Sequence, residues 1–188
     1  MRVIIADDEP TMRSRLMAAI DHLEAPFDCV KVCGVAENGA ELITAVEQAT
    51  AIDLVISDVR MPEMDGLSSL VYLRSKYPAL KIILLSSETS VSTHGAGQAA
   101  GNAENAENAA KYELLDKIAA RICRQENEPG KINSILAGCE KLAMAPCAVA
   151  RHFGAQGFVR KPISTAKLKT LLSRLESTRD FIKIDKEG

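Results

Sequence analysis

The sequence predicts a doubly wound α/β fold, in which helices cover both faces of a five-stranded parallel sheet. Short apolar runs alternate with amphipathic stretches over about the first 85 residues, at the spacing of βαβ units. Runs such as Leu54-Val55-Ile56 are apolar at every position, as expected of strands buried on both faces. At 188 residues, with 47% hydrophobic and 26% charged residues, the chain has the size and composition of one globular domain.

The elements follow one another in a regular order along the chain. A strand over residues 3–6 leads into a helix from about residue 10 to residue 23, where Pro10 suits the first helical turn. Asn38-Gly39 turns the chain into a second helix. The other predicted elements are strands over residues 29–35, 54–56, 82–85 and 157–159, and helices over residues 66–76 and 165–175.

The regular spacing breaks after the fourth strand. Residues 90–103 are rich in Gly, Ala, Ser and Asn and lack an apolar period, which predicts a flexible connection. Beyond it, apolar residues from Ala106 to Ile122 recur at helical spacing, and a second helical stripe runs from Ile132 to Leu142. We therefore predict one domain over residues 1–176, interrupted by a helical hairpin at about 90–144 and followed by a C-terminal tail over 177–188.

Composition lowers the expectation for several classes of protein. The 25 acidic residues outnumber the 23 basic ones, and a net charge of −2 disfavours a nucleic-acid partner. The first apolar run is too short for a signal peptide or a membrane span, so we expect a cytoplasmic protein without a membrane partner. The 5 cysteines form no CxxC pair and suit reduced thiols in a core.

A candidate site lies where the predicted strands end. Asp7-Asp8 ends the first strand, Asp58 follows the third, Ser86 follows the fourth and Lys161 follows the fifth. Ligands of open α/β sheets bind outside the carboxyl ends of the strands. Converging carboxylates repel one another unless a cation joins them, and oxygen ligands suit Mg²⁺. A carboxylate nucleophile with a metal ion, an ammonium group and a hydroxyl donor is a set that can accept a phosphoryl group.

Each of these residues has a structural explanation when it is taken alone. An aspartate at a strand end is often a turn or helix-cap residue, a lone lysine is usually solvated, and Phe158 alone suits a core. The joint placement of the polar residues favours a site. The histidines His22, His94 and His152 lack the spacing of metal ligands.

On these residues the chain resembles the receiver domain of bacterial two-component response regulators. The matching stretches are VIIADDEPTMR, GVAENGAEL, LVISDVRMPEMDG, KIILLSS and GAQGFVRKPI, and they lie within residues 1–88 and 145–175. The resemblance implies a flavodoxin-like sheet with the strand order 2-1-3-4-5. It also implies that the long segment between the fourth strand and the fourth helix is an insertion.

The resemblance implies a role for each residue of the candidate site. Asp58 would be the phosphoacceptor, and Asp7, Asp8 and Asp58 would hold Mg²⁺ with help from the Arg60 carbonyl. Lys161 would contact the phosphoryl group.

Two further residues fall on the switch positions of the family. The hydroxyl of Ser86 would move toward the new phosphate, and Phe158 would turn inward behind it. This movement would alter the face made by the fourth helix, fifth strand and fifth helix of the family fold. Pro162 would follow the cis peptide bond typical of the family.

The function implied is that of a stand-alone receiver, since only residues 177–188 follow the last predicted helix. A histidine kinase or a phosphotransfer protein would supply the phosphoryl group. The chain would signal by altered protein binding, with at most slow self-dephosphorylation, so we expect no enzyme. The insertion is roughly fifty residues longer than one helix with its loops. Its apolar stripe would simply pack against the rest of the domain or against its partner helix, or the insertion would replace or mask the usual output face or form a homodimer contact. Chemotaxis and a phosphorelay step are both compatible.

Two alternatives stay open at the level of the sequence. A magnesium-dependent phosphohydrolase with an aspartyl-phosphate intermediate usually carries a second acid two residues after the nucleophile, where this chain has Arg60. A scaffold that never needs phosphate is the other alternative, and the complete set of Asp, Ser and Lys argues against it. Arg60 and Glu88 should tune dephosphorylation in a direction that the sequence does not give.

Overall fold

The protein is described by a computed structural model over residues 1–87, 102–124, 134–177 and 181–184, with side chains omitted for 102–107. Its strands form one parallel sheet in the order β2-β1-β3-β4-β5-β6. The predicted doubly wound parallel sheet and the order of its first five strands are confirmed. The strands are β1 (Arg2–Ala6), β2 (Lys31–Ala36), β3 (Leu54–Asp58), β4 (Lys81–Ser86), β5 (Gly157–Arg160) and β6 (Ile182–Ile184).

Several of the helices begin at residues whose side chains cap them. The side chain of Asn38 accepts a hydrogen bond from the Glu41 N–H, and the side chain of Asp65 accepts one from the Ser68 N–H. Among the described helices, none is long and apolar enough to span a bilayer. The helices are α1 (Pro10–Asp21), α2 (Gly39–Gln48), α3 (Gly66–Lys76), α4 (Asn102–Cys123), α5 (Ile135–Lys141), α6 (Pro146–His152) and α7 (Thr165–Ser177).

Two hydrophobic cores lie on opposite faces of the sheet, because successive strand side chains point to opposite sides. One face packs against α2 to α6, and the other packs against α1 and α7. Strand residues of the first core include Ile4, Val55, Ile82, Leu84 and Phe158, and those of the second include Val3, Ile5, Leu54, Ile56, Ile83 and Leu85.

The insertion forms two helices that are part of the first core. Leu115 of α4 and Ile135 of α5 are fully buried in the same cluster as Leu70 of α3. A Cβ atom placed on Gly138 would come within 2.8 Å of Leu115, so α4 and α5 approach each other closely there. The helical hairpin is thus present and packs against α3. Of the predicted flexible connection, residues 102–103 begin α4, and the rest lies outside the described residues, as does Ile132.

The structure adds a sixth strand to the five that the sequence predicts, and this strand lies within the predicted C-terminal tail. Ile182–Ile184 forms a sixth strand that pairs with β5, with Phe158 opposite Lys183. Ile182 and Ile184 are buried whereas Lys183 is exposed, which is the alternation of a strand. A run of 3 residues is too short for that alternation to be recognised in the sequence.

Two adjacent leucines of α4 differ in burial, so their replacement by alanine should lower the free energy of unfolding by different amounts. Leu115→Ala should lower the free energy of unfolding by about 2–4 kcal/mol, because it removes a fully buried side chain and leaves a cavity. Leu114→Ala is the matched control, since Leu114 is 48% exposed, and should cost less than about 1 kcal/mol. Urea unfolding of both variants measures the difference. Equal costs would mean that α4 is not part of the core.

Candidate functional site

The parallel strands bring the predicted site residues to one edge of the sheet. Asp58 is the last residue of β3 and Ser86 the last of β4, while Asp7 directly follows β1 and Lys161 directly follows β5. These four strands are consecutive neighbours in the sheet. Because the carboxyl ends of parallel strands share one edge, residues 154 positions apart in the sequence (161 − 7) become neighbours.

The ammonium group of Lys161 connects two carboxylates at this edge. Its Nζ atom lies 2.7 Å from Oδ2 of Asp7 and 3.0 Å from Oδ2 of Asp58. The side chain of Lys161 is 9% exposed, and those of Asp7 and Asp58 are 3% and 9% exposed. Buried charges require close partners and hydrogen bonds, and this arrangement supplies both.

Backbone N–H groups hold the second oxygen of each carboxylate. The Glu9 N–H donates to Oδ1 of Asp7 at 3.0 Å, and the Val59 N–H donates to Oδ1 of Asp58 at 2.8 Å. Each carboxylate therefore has one oxygen fixed by the backbone and the other directed at Lys161. This geometry orients the carboxylate of Asp58 before any ligand binds.

The charges at the site shift each other's protonation. Burial raises the pKa of Asp58 to about 6, and the charge of Asp7 adds to this effect, while Lys161 opposes it. For Lys161, burial favours the neutral amine, but the hydrogen bond to Asp7 and the charge of Asp58 outweigh it, so its pKa is raised. Lys161 therefore stays cationic at neutral pH. A further cation would favour ionised Asp58.

A metal ion fits the same group of carboxylates. Asp7, Asp8 and Asp58 each offer one oxygen, and these oxygens lie within 4.8 Å of one another. Asp8 is exposed, so the cluster is open to water on one side. A cluster of carboxylate oxygens with room for water ligands suits Mg²⁺, which keeps several waters when it binds.

The loop between β3 and α3 closes tightly behind Asp58. The Gly66 N–H donates to the Val59 carbonyl at 2.9 Å. A Cβ atom on Gly66 would lie 2.0 Å from the Asp58 carbonyl oxygen, so only glycine fits at this position. The Asp-Gly pair in the sequence thus ends a turn that fixes the backbone of Asp58.

The residues at the predicted switch positions are both buried. Ser86 is 5% exposed, and its carbonyl accepts a hydrogen bond from the Lys161 N–H at 2.9 Å. Phe158 packs in the hydrophobic core on the α3 side of the sheet. The Lys161–Pro162 peptide bond is cis, as the resemblance implied. The switching movements of Ser86 and Phe158 stay predictions, as does the Arg60 carbonyl ligand, and Glu88 lies outside the described residues.

The insertion contacts the loop after Asp58 at two places. The Arg60 guanidinium lies 2.7 Å from a carboxylate oxygen of Glu140 on α5. Ser134, at the start of α5, donates a hydrogen bond of 2.7 Å to Oδ2 of Asp65. No pattern in the sequence indicates these contacts, because the partners lie 80 and 69 residues apart.

Arg13 is a further residue near the site that sequence reasoning missed. Its guanidinium donates to the Asp7 carbonyl at 2.8 Å and forms an ion pair of 2.5 Å with Glu37. The Arg13 side chain therefore holds the short loop that carries Asp7 and Asp8. Its position one turn into α1, after the DDEP stretch, is the only feature of the sequence that could have indicated it.

The sequences of several known proteins align with about half of the chain. A protein-glutamate methylesterase/protein-glutamine glutaminase from Trichodesmium erythraeum is 35% identical over 47% of this chain and 24% of that protein. The chemotaxis protein CheY of Listeria monocytogenes is 33% identical over 46% of this chain and 67% of that protein. The uncharacterized transcriptional regulatory protein YhcZ of Bacillus subtilis is 36% identical, and the aligned stretch covers only 38% of its length.

Solved structures share the fold over nearly the whole chain. The isolated receiver domain of RcsB from Salmonella enterica, solved with the phosphomimetic BeF3⁻, has a TM-score of 0.54 at 21% identity and covers 97% of this chain and 92% of that one. A signal receiver domain from Pseudomonas fluorescens has a TM-score of 0.56 at 14% identity, with 95% of both chains covered. At these identities the likeness shows the fold alone.

A model of a protein family also matches the chain. Residues 3–106, more than half of the 188, match the model described as the response regulator receiver domain. The match includes Asp7, Asp8, Asp58 and Ser86, whose carboxylates and hydroxyl lie at the edge of the sheet. The chain therefore belongs to the family of response regulator receiver domains of two-component systems.

Proposed function

We propose that Asp58 accepts a phosphoryl group from a phosphohistidine of a sensor kinase or a histidine phosphotransfer protein. The observation that carries this proposal is the ammonium of Lys161, which lies between Asp7 and Asp58 at 2.7 and 3.0 Å. The same carboxylates belong to a cluster that fits a divalent cation. A nucleophilic carboxylate, a fixed cation and a metal site thus occupy one place.

The proposed transfer replaces one bond to phosphorus with another. An oxygen of Asp58 attacks phosphorus, a P–O bond forms, and the P–N bond to the donor histidine breaks, leaving its imidazole as the leaving group. The Lys161 ammonium stays within reach of Asp58 and compensates the negative charge of the transferred oxygens. Asp7 holds that ammonium in place, and the Ser86 hydroxyl, at the end of the adjacent strand, is the candidate donor to the product.

Asp7, Asp8 and Asp58, with the Arg60 carbonyl, would hold Mg²⁺. The ion would neutralise the charge of the carboxylates and of the incoming phosphoryl group. This role agrees with the raised pKa of Asp58, because a carboxylate that burial pushes toward protonation is returned to its nucleophilic form by a nearby cation.

The proposed output is a change in protein binding, either on the face of α6, β5 and α7 or on the insertion. Two contacts support a part for the insertion, namely Arg60 with Glu140 and Asp65 with Ser134. They tie α5 to the loop that follows Asp58, so a movement of that loop would reach α5. A homodimer contact through the insertion, a cytoplasmic location and the absence of a nucleic-acid partner belong to the same proposal.

A phosphohydrolase is the less favoured function. Arg60 occupies the position where such an enzyme carries its second acid, and its guanidinium pairs with Glu140. A guanidinium cannot act as a general acid near neutral pH. We therefore expect at most slow loss of the phosphoryl group from Asp58.

The proposal predicts one site of phosphorylation. Incubation with Mg²⁺ and acetyl phosphate should add one phosphate to the wild type and none to Asp58→Asn, as measured by intact-mass spectrometry. Asp53→Asn is the matched control, because Asp53 directly precedes β3 at its opposite end and is exposed, so this variant should be labelled like the wild type. A wild type without an adduct, under conditions that label another receiver, would favour the phosphate-independent scaffold.

The raised pKa of Asp58 predicts that its charge destabilises the metal-free fold. Below pH 3.8 the Asp58 carboxyl is protonated in both the folded and the unfolded protein, so it does not change the free energy of unfolding. As the pH rises from 3.8 to about 6, the unfolded protein loses this proton first and the fold is progressively destabilised. Above about pH 6 the destabilisation is complete. In chelator, Asp58→Asn should raise the free energy of unfolding at pH 7.5 by on the order of 2 kcal/mol, with little gain near pH 4. Urea unfolding at both pH values measures this gain, and adding Mg²⁺ should stabilise the wild type more than the variant. An equal gain in the free energy of unfolding at both pH values would contradict a raised pKa of Asp58.

Because α5 contacts the loop after Asp58, we expect phosphorylation of Asp58 to affect both segments. Hydrogen exchange of α5 should change between the unphosphorylated and phosphorylated protein, together with that of residues 59–68. Ser134→Ala removes the hydrogen bond to Asp65 and should reduce the response of α5 while leaving that of residues 59–68. A difference map without change across residues 90–145 would exclude a part for the insertion in the output.

A further inference from the structure

Lys167 is a buried lysine that the site described above does not use. It lies in the first turn of α7, among buried leucines such as Leu168 and Leu171, and is 5% exposed. A lysine at this depth is costly unless its ammonium finds hydrogen-bond acceptors. Its position in an otherwise amphipathic helix gives no sequence signal, since a lone lysine usually points to water.

The acceptors of Lys167 lie on both sides of Lys161. Its Nζ atom donates to the Arg160 carbonyl at 3.1 Å and to the Pro162 carbonyl at 3.0 Å. The backbone N–H of Lys167 also donates to the Ser164 hydroxyl at 3.2 Å, which anchors the end of the same loop. One ammonium group therefore fixes the residue before and the residue after Lys161.

We propose that Lys167 is a positioning residue for Lys161. A lysine side chain has four rotatable bonds, so the place of its ammonium depends on where its backbone is held. The Lys161 N–H is held by the Ser86 carbonyl at 2.9 Å, and the carbonyls on either side are held by Lys167. Lys167 thus fixes the direction from which the Lys161 ammonium reaches Asp58. The inference rests on the proposed function, in which Lys161 contacts the phosphoryl group.

A purely structural role for Lys167 makes a different prediction from a positioning role. If Lys167 only stabilises the start of α7, its loss lowers stability and leaves ligand binding by the folded protein unchanged. If it positions Lys161, its loss weakens binding of a phosphoryl mimic but leaves Mg²⁺ binding intact, since Asp7, Asp8 and Asp58, and not Lys161, would hold Mg²⁺.

The test measures binding of BeF3⁻ in saturating Mg²⁺ by fluorine NMR, with Mg²⁺ affinity measured separately. Lys167→Met should weaken BeF3⁻ binding about tenfold, because a small displacement of a catalytic group is costly. Lys169→Met is the matched control on the same helix, since Lys169 is 40% exposed and contacts Glu24 at 3.4 Å, and should bind like the wild type. In a Lys161→Met background, adding Lys167→Met should change the affinity by less than about twofold, because the effect passes through Lys161.

Each outcome decides a separate point. A Lys167→Met protein that binds both Mg²⁺ and BeF3⁻ like the wild type would overturn the inference, and so would full additivity with Lys161→Met. If Lys167→Met fails to bind Mg²⁺, then Lys167→Gln, whose shorter neutral side chain does not reach both carbonyls as the ammonium does, takes its place under the same criteria. A wild type that binds Mg²⁺ but not BeF3⁻ would instead overturn the proposed function.

Discussion

A buried ammonium between two buried carboxylates is the interaction on which the rest of this site depends. Asp7 and Asp58 lie at the ends of neighbouring strands, where their charges would repel each other in a poorly solvated place. The ammonium group of Lys161, which directly follows β5, relieves that repulsion. The attraction between these charges offsets their desolvation only if all three groups are held accurately. The N–H groups of Glu9 and Val59 help to hold the two carboxylates.

The insertion adds a second layer of support to one side of this site. Its helices α4 and α5 pack against α3 through fully buried residues, so they belong to the domain core and do not form a separate appendage. The start of α5 is bonded to Asp65, which also caps α3, and Glu140 pairs with Arg60 beside the phosphoacceptor candidate. A segment attached to both α3 and the β3–α3 loop is well placed to respond to events at Asp58.

Much of the fold and the site could be predicted because their signals are local in the sequence. Strands that are apolar throughout, the Asn38-Gly39 turn, and aspartates directly after strands each show within a few residues. The edge strand β6 escaped prediction because three residues carry no readable period. Lys167 and Glu140 escaped because their partners are set by how helices pack, and a lysine or glutamate on a helix otherwise indicates only a solvated face.

The sequence by itself determined the parallel α/β class, the order of its elements, and the identity of the carboxylates, lysine and hydroxyl gathered at one sheet edge. These follow from periodicity and from the rule that strand ends of a parallel sheet meet. Only the tertiary structure decided that one ammonium joins Asp7 and Asp58, that the insertion is packed into the core, and that Lys167 faces inward. The first two of these depend on contacts between residues far apart in the chain. The partners of Lys167 are only seven and five residues away, but its burial depends on how α7 packs on the sheet, which no local pattern records.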